Sequence, residues 1–181
     1  LHSLRYIYTA MTDPGTGLPW FVLVGYVDGE IFVHYDNNTR RYVPRTEWVK
    51  APGAVDPGYW ERNTRIAQSS EQNGKVSLDT LQERYNQSRG SHTLQWMHSC
   101  AILEDGTTRG YHQYAYDGRD FIAFDKDMKT FTAAVPEAVP TKRKWEDDGS
   151  VAEGLKQYLQ EECVEWLQRY MEHGKAELGR R

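Results

Sequence analysis

The 181-residue sequence predicts an α+β fold, an eight-stranded antiparallel sheet carrying two long helices on one face. Three observations predict it. Short alternating segments separated by turn residues occur in two sets. Each set leads into a long stretch whose apolar residues recur at steps of three and four. Finally, Val27-Asp28-Gly29-Glu30-Ile31-Phe32-Val33 has an echo in Tyr116-Asp117-Gly118-Arg119-Asp120-Phe121-Ile122, 89 residues later. Four strands and a helix, twice over, read as an internal duplication. The first half covers 1–89, the second 90–181, and together they make one platform.

In residues 1–12, Leu4, Tyr6 and Tyr8 alternate with Arg5, Ile7 and Thr9, which is strand periodicity. Asp13-Pro14-Gly15-Thr16-Gly17 turns the chain into a second strand, Trp20 to Val27. Asp28-Gly29 is a two-residue hairpin signal before Ile31 to Tyr35. Asp36-Asn37-Asn38 supplies the next turn, and a short fourth strand around Arg41-Tyr42-Val43 ends at Pro44.

The first helix is expected from about Tyr59 to Tyr85. Trp60, Thr64, Ala67, Glu71, Gly74, Leu78, Leu81 and Tyr85 form its stripe for burial. A second stripe, Tyr59, Asn63, Ile66, Ser70, Asn73, Ser77, Thr80 and Arg84, reads either as a solvated flank or as the wall of a groove. Gly74 inside a helix costs about 1 kcal/mol against Ala, so it must serve something else.

The second half repeats the plan. Leu94, Trp96, His98 and Cys100 share a strand face, Gly110 to Tyr116 puts His112 and Tyr114 together, and Asp117-Gly118 turns into Phe121 to Phe124. A short helical piece between Pro136 and Gly149 kinks near Asp147-Asp148-Gly149 into a helix from Gly149 to Leu178. That helix buries Val151, Leu155, Tyr158, Leu159, Cys163, Trp166, Leu167, Tyr170 and Met171. Its surplus of aromatics with polar tips suits a wall better than a plain core.

Composition bounds the function. A net charge of −4 argues against a nucleic-acid partner, whose phosphates need a basic surface. No run approaches the roughly 18 apolar residues of a membrane span. The first residues, Leu1-His2-Ser3-Leu4-Arg5, show no secretion signal, so one is expected to have been removed or never to have existed. Cys100 and Cys163 are either two separate buried thiols or a disulfide. A bridge closing about 60 residues would stabilise the fold by ~4 kcal/mol on the chain-entropy model and would imply an oxidising compartment. Asn86-Gln87-Ser88 and, more weakly, Asn37-Asn38-Thr39 are glycosylation sequons.

If the two helices stand apart on the sheet, the space between them is a groove. Its floor holds Tyr6, Tyr8, Leu23, Leu94, Trp96, His98, His112 and Tyr114. Its walls hold the second stripe of the first helix and the Tyr158, Trp166 and Tyr170 side of the other.

Gly25-Tyr26-Val27-Asp28, Tyr59-Trp60, Tyr85-Asn86-Gln87-Ser88, Gly90-Ser91-His92-Thr93, Arg109 to Gly118, Lys144-Trp145-Glu146 and Cys163-Val164-Glu165-Trp166-Leu167 resemble the α1 and α2 domains of a major histocompatibility complex (MHC) class I heavy chain, in avian-like wording. The resemblance covers the whole chain in order. It implies the antigen-recognition platform, a Cys100–Cys163 bridge pinning the second helix to the floor, and display of a ligand rather than chemistry. Implied partners are beta-2-microglobulin beneath the sheet, near Gln95 and Met97, and a T-cell or NK-cell receptor above it. The implied setting is the cell surface, reached by the secretory pathway, with the full-length chain membrane-anchored.

The resemblance also implies the site. Tyr6, Tyr59, Tyr158 and Tyr170, with Glu162 and Trp166, match positions that hold a peptide's amino terminus. Ser77, Thr80, Phe121, Thr141, Lys144 and Trp145 match the carboxyl end, where Arg84 replaces a mammalian tyrosine and can fork onto a carboxylate or a passing backbone. Tyr8, Leu23, Tyr42, Asn63, Ile66, Ala67, Ser70, Asn73, Leu94, Trp96, His98, His112, Tyr114, Val151 and Leu155 match floor and walls, with Trp96 narrowing the middle. Asn63 and His98 stand where many relatives carry an acid and a tyrosine. The walls are apolar enough that two ligand classes are open: a short peptide fixed at both ends, or a lipid or other hydrophobic ligand.

An enzyme is not expected. The six histidines show no metal-ligand spacing, and there is neither a phosphate loop nor a nucleophile elbow. No cofactor or metal is implied; His98 and His112 could face each other across adjacent strands, but read as groove lining.

Overall fold

The computed structural model describes residues 1–88, 90–127 and 129–178. Eight strands form one sheet: β1 (His2–Met11), β2 (Phe21–Val27), β3 (Glu30–Asp36), β4 (Val43–Pro44), β5 (Thr93–Ile102), β6 (Thr108–Tyr116), β7 (Arg119–Asp125) and β8 (Thr130–Ala133). Their spatial order is β4-β3-β2-β1-β5-β6-β7-β8, with every neighbouring pair antiparallel. The two four-stranded meanders thus meet along β1 and β5, and the duplication seen in the sequence extends to backbone detail. Asp28-Gly29 and Asp117-Gly118 both adopt positive φ at both residues (50° and 81°, 49° and 79°), the turn that matches strand twist. The register shifts at Gly25/Tyr26 and again at Tyr114/Ala115. Asp28 accepts from His2 and the Ser3 amide as Asp117 accepts from His92 and the Thr93 amide.

The fourth strand is shorter than expected, Val43–Pro44 alone. Proline cannot extend the ladder, and Tyr42 turns inward, 4% exposed, to pack edge-on against Tyr59. Helix α1 (Tyr59–Arg84) buries Ala67, Glu71, Gly74, Leu78 and Leu81, most of the stripe expected for burial. Tyr59, from the other stripe, is buried as well, while Trp60, Thr64 and Tyr85 are half-buried. Glu71 is accommodated because the Tyr35 hydroxyl donates to it at 2.7 Å and Arg40 lies 3.6 Å away.

The expected helix over 149–178 is continuous but carries a π-helical turn within it. After α2 (Val139–Asp147), Asp148 is extended and caps α3 (Gly149–Gln157) by accepting from the Ser150 amide. A π-helical turn, Tyr158–Glu162, then leads into α4 (Cys163–Leu178). The cause is legible in the spacing. Leu155, Leu159, Cys163 and Leu167 descend at three successive steps of four, each of which drifts by about 40° on an α-helix of 3.6 residues per turn. A wider turn takes up the drift and keeps Leu159 and Cys163 on the sheet. Gly110 makes the approach possible, since a methyl group there would lie 2.9 Å from Leu159 Cβ. One turn further on, Cys163 is bonded to Cys100 (S–S 2.05 Å), tying α4 to β5.

Candidate functional site

Strand pairing sets the floor between the helices. Tyr6 lies opposite Gly25 and His98, Tyr8 opposite Leu23 and Trp96, Trp96 opposite Tyr114, and His98 opposite His112. Gly25 is required beside Tyr6, because a methyl group would come within 3.0 Å of that ring and 2.5 Å of Val33. Two cavities open above this floor.

The first, of about 490 Å³, is lined by Leu4, Tyr6, Tyr8, Leu23, Tyr42, Tyr59, Arg62, Asn63, Ile66, His98, His112, Leu155, Tyr158, Glu162, Trp166 and Tyr170. All the amino-end residues expected from the sequence are therefore together. Tyr59 and Tyr170 hydroxyls lie 2.6 Å apart, joining α1 to α4. Trp166 stacks on Tyr170 at 5.4 Å and carries the Arg169 guanidinium 5.3 Å from its ring centroid, while Arg169 donates to the carbonyls of Ala54 and Gly53. The loop before α1 is thereby clasped over this end of the groove. Burial pushes the hydroxyls of Tyr6, Tyr8, Tyr42, Tyr59, Tyr158 and Tyr170 up in pKa, with neighbouring tyrosines adding to it at most of these sites. They stay neutral phenols, able to donate and to accept.

The floor of this cavity is also uncharged. Burial lowers His98 to about 3 and His112 to about 4, with the facing His112 reinforcing the effect on His98. His98 Nε2 bonds the Tyr8 hydroxyl at 3.0 Å, and the Nδ1 atoms of both rings are buried without a partner among the described residues. No third His, Cys, Asp or Glu joins them as a metal-ligand group among the described residues. Charge is confined to the rim. Arg62, which the sequence reading did not assign, is held by both carboxylate oxygens of Asp56 at 2.9 and 3.1 Å. Glu162 is exposed and has no ion pair among the described residues.

The second cavity, of about 200 Å³, is lined by Val76, Ser77, Thr80, Leu81, Arg84, Leu94, Tyr114, Phe121, Pro140, Thr141, Lys144 and Trp145. Its interior is apolar and its rim cationic. Arg84 donates to Thr141 Oγ1 at 2.7 Å and to the Glu137 carbonyl at 3.1 Å, linking α1 to the α2 segment. Lys144 is exposed with no ion pair among the described residues. Every carboxyl-end residue expected from the sequence lines this cavity; Val76, Leu81 and Pro140 join them. Leu81, on the stripe expected for burial, serves both the core and this cavity.

Five expected groove residues line neither cavity: Ala67, Ser70, Asn73, Trp96 and Val151. Ala67 is fully buried under α1, Asn73 is exposed, and Ser70 and Val151 are half-buried. Trp96 fills the space between the cavities, stacked on Tyr8 and Tyr114. Of the sequons, Asn86 is exposed at the end of α1, whereas Asn37 is half-buried and its Oδ1 accepts from the Phe21 amide. No helix of the described residues is long and apolar enough to cross a membrane.

Known proteins agree with this geometry. The family model for class I histocompatibility antigen, domains alpha 1 and 2, matches residues 1–178. The chain is 66% identical over 181 residues to the class I histocompatibility antigen F10 alpha chain of Gallus gallus, covering 100% of this chain and 52% of that one. It is 52% identical over 181 residues to the H-2 class I Q10 alpha chain of Mus musculus, covering 98% and 54%, and 50% identical over 181 residues to the mouse K-B alpha chain, covering 98% and 48%. It spans about half the length of these relatives. An eight-stranded platform, a helix-to-floor disulfide, a groove with a tyrosine end and a cationic end, and this likeness lead to one assignment: the chain belongs to the MHC class I family, as its α1 and α2 domains.

Proposed function

We propose that the chain is the platform of an antigen-presenting class I molecule, binding a short peptide by its two ends for display to T-cell or NK-cell receptors. One observation carries the reading: the two ends of the groove are chemically opposite. Neutral phenol hydroxyls, the free Glu162 carboxylate and an Arg62 already neutralised by Asp56 surround one cavity, which suits an ammonium group. Arg84, Lys144 and Thr141 rim the other, which suits a carboxylate. A linear zwitterion matches both ends; a lipid has no use for the pairing.

In this reading Tyr6, Tyr59, Tyr158 and Tyr170 bind the amino terminus and Trp166 closes over it. Ser77, Thr80, Arg84, Thr141, Lys144 and Trp145 hold the carboxyl end, with the last side chain in the pocket above Phe121. Ile66, Leu155, Tyr8 and the neutral His98 and His112 give the first cavity an apolar, uncharged interior for a second side chain. Beta-2-microglobulin seats under the sheet. The full-length protein is anchored at the cell surface after passage through the secretory pathway, with the Cys100–Cys163 bridge formed there and a glycan on Asn86. The two halves, 1–89 and 90–181, work as one unit without enzymatic activity.

Elution of ligands from the full-length complex with beta-2-microglobulin, followed by mass spectrometry, tests this. Peptides of narrow length range are the expected result. Recovery of lipid with no peptide overturns it in favour of a hydrophobic ligand.

A further inference from the structure

A third cavity, of about 360 Å³, lies between the end of α1, the β6–β7 hairpin and the segment that leads into α2. It shares no lining residue with the two groove cavities. One wall is aromatic: Tyr85 stacks on Tyr116 at 5.1 Å and 28°. Tyr116 is 4% exposed and donates its hydroxyl hydrogen to Gln87 Oε1 at 2.7 Å, which fixes the Gln87 amide beside that wall. Val135 adds apolar surface, and Arg119, Asp117 and Glu137 bring charge of both signs.

The cavity flanks the glycosylation sequon. Tyr85 and Gln87, both in its lining, are the chain neighbours of Asn86. Asn86 is exposed and adopts a positive φ of 54° just past the end of α1. Its amide donates to the Glu83 carbonyl at 3.0 Å, and the Gln87 amide donates to the Gln82 carbonyl at 2.9 Å. That pair of bonds is a Schellman ending, whose left-handed position asparagine tolerates. The sequon asparagine is therefore fixed to the helix end rather than carried on a free loop.

We infer that this cavity is a carbohydrate site that seats the first sugars of the glycan on Asn86. The inference rests on the Asn86 glycosylation proposed above. The lining selects a neutral ligand with both apolar and polar faces. The apolar face of a pyranose ring suits aromatic side chains that carry a polar tip. Its hydroxyl and acetamido groups find donors in Arg119 and the Gln87 amide, and acceptors in Asp117 and Glu137. An anion would face the two carboxylates, and a cation the guanidinium. A free sugar loses translational freedom on binding, whereas one linked to Asn86 is held at high local concentration beside the site. The seat also bears on the groove. Glu137 belongs to the 3₁₀ turn Pro136–Ala138 that opens into α2, and its carbonyl accepts from Arg84 at 3.1 Å. A sugar packed on Val135 and Glu137 braces the turn that holds Arg84 at the cationic end.

The test compares the full-length glycoprotein with beta-2-microglobulin, made in a glycosylating host, with its Asn86→Gln variant. Mass spectrometry first reads the glycan on Asn86, and hydrogen exchange then reads residues 134–138. Exchange there is expected to be about fivefold or more slower in the glycosylated protein, because a seated sugar has to leave before the turn opens. In Val135→Trp, where the indole fills the cavity, the glycan is expected to remain on Asn86 but to make less than about twofold difference to that exchange. A glycan on Asn86 with exchange equal within twofold in the native pair overturns the seat and leaves glycosylation intact. A glycan effect that persists in full in Val135→Trp places the sugars elsewhere and also overturns it. No glycan on Asn86 overturns the glycosylation reading and this inference with it. If Asn86→Gln does not assemble, enzymatic removal of the glycan from the assembled native complex is read the same way, and if Val135→Trp does not, the native comparison decides by itself.

Discussion

The hydroxyls of Tyr59 and Tyr170 meet at 2.6 Å, one from the first turn of α1 and the other from the middle of α4. This contact closes the tyrosine end of the groove with neutral, buried phenols beside Tyr6 and Tyr158. Tyr170→Phe removes the hydroxyl that bonds both Tyr59 and Tyr6. Ligand affinity is expected to fall about 10- to 100-fold, corresponding to ~1.5–3 kcal/mol for a hydrogen bond to a charged group. Competition binding with a peptide of unmodified ends reads it; affinity unchanged within twofold would remove Tyr170 from the ligand site.

The bridge between Cys100 and Cys163 closes a loop of 63 residues. Replacing both cysteines by serine is expected to cost about 4 kcal/mol on the chain-entropy model. At this chain length that is a fall in melting temperature of roughly 10 °C. Differential scanning calorimetry on the oxidised protein and the double variant measures the difference.

Glycines separate the packed side of the second helix from its open side. Gly110→Ala places a methyl group 2.9 Å from Leu159 Cβ, so overpacking of about 1–3 kcal/mol is expected. Gly154→Ala in α3 meets nothing within 4 Å and gains helix propensity, about 1 kcal/mol in the stabilising direction. Opposite shifts in the denaturation midpoint distinguish this geometry from one in which the helix runs straight past β6.

His98 and His112 give the fold a pH dependence of definite sign. Their folded-state values, about 3 and about 4, lie below the ordinary 6.5, so the unfolded chain binds protons first as pH falls. Their contribution to stability is complete well above pH 6.5 and is lost progressively as pH falls through 6.5, to about 4 for His112 and about 3 for His98. Melting temperature is expected to drop between pH 7.5 and 5, and His98→Gln with His112→Gln to flatten that slope. An equal slope in the variant assigns the dependence to other groups.

Much of this was legible in the sequence because period and turn chemistry are local. The Asp28-Gly29 and Asp117-Gly118 signals specify their hairpins by themselves, and alternation then puts Tyr6, Tyr8, Trp96, His98, His112 and Tyr114 on one face of the sheet. The π-helical turn at 158–162 is not visible in simple periodicity; only the angular drift summed over the three steps of four from Leu155 to Leu167 accounts for it. Arg62 was missed because a charged residue on the flank of a helix reads as solvated; only the fold brings it over the cavity and to Asp56. The cost of Gly74 was visible, but its reason was not. Gly74 makes room for the Trp96 ring, yet the two are 22 residues apart in sequence, and no local rule connects them.

The central claim is that a zwitterionic chain is gripped at both ends. The most direct measurement is the melting temperature of the full-length complex with beta-2-microglobulin, loaded with one eluted peptide or with the same peptide acetylated at its amino end and amidated at its carboxyl end. Binding stabilises by mass action, so the unmodified peptide is expected to raise the melting temperature above that of the unloaded complex, and each modification to cut affinity by about tenfold or more. Equal stabilisation by the doubly modified peptide contradicts the account.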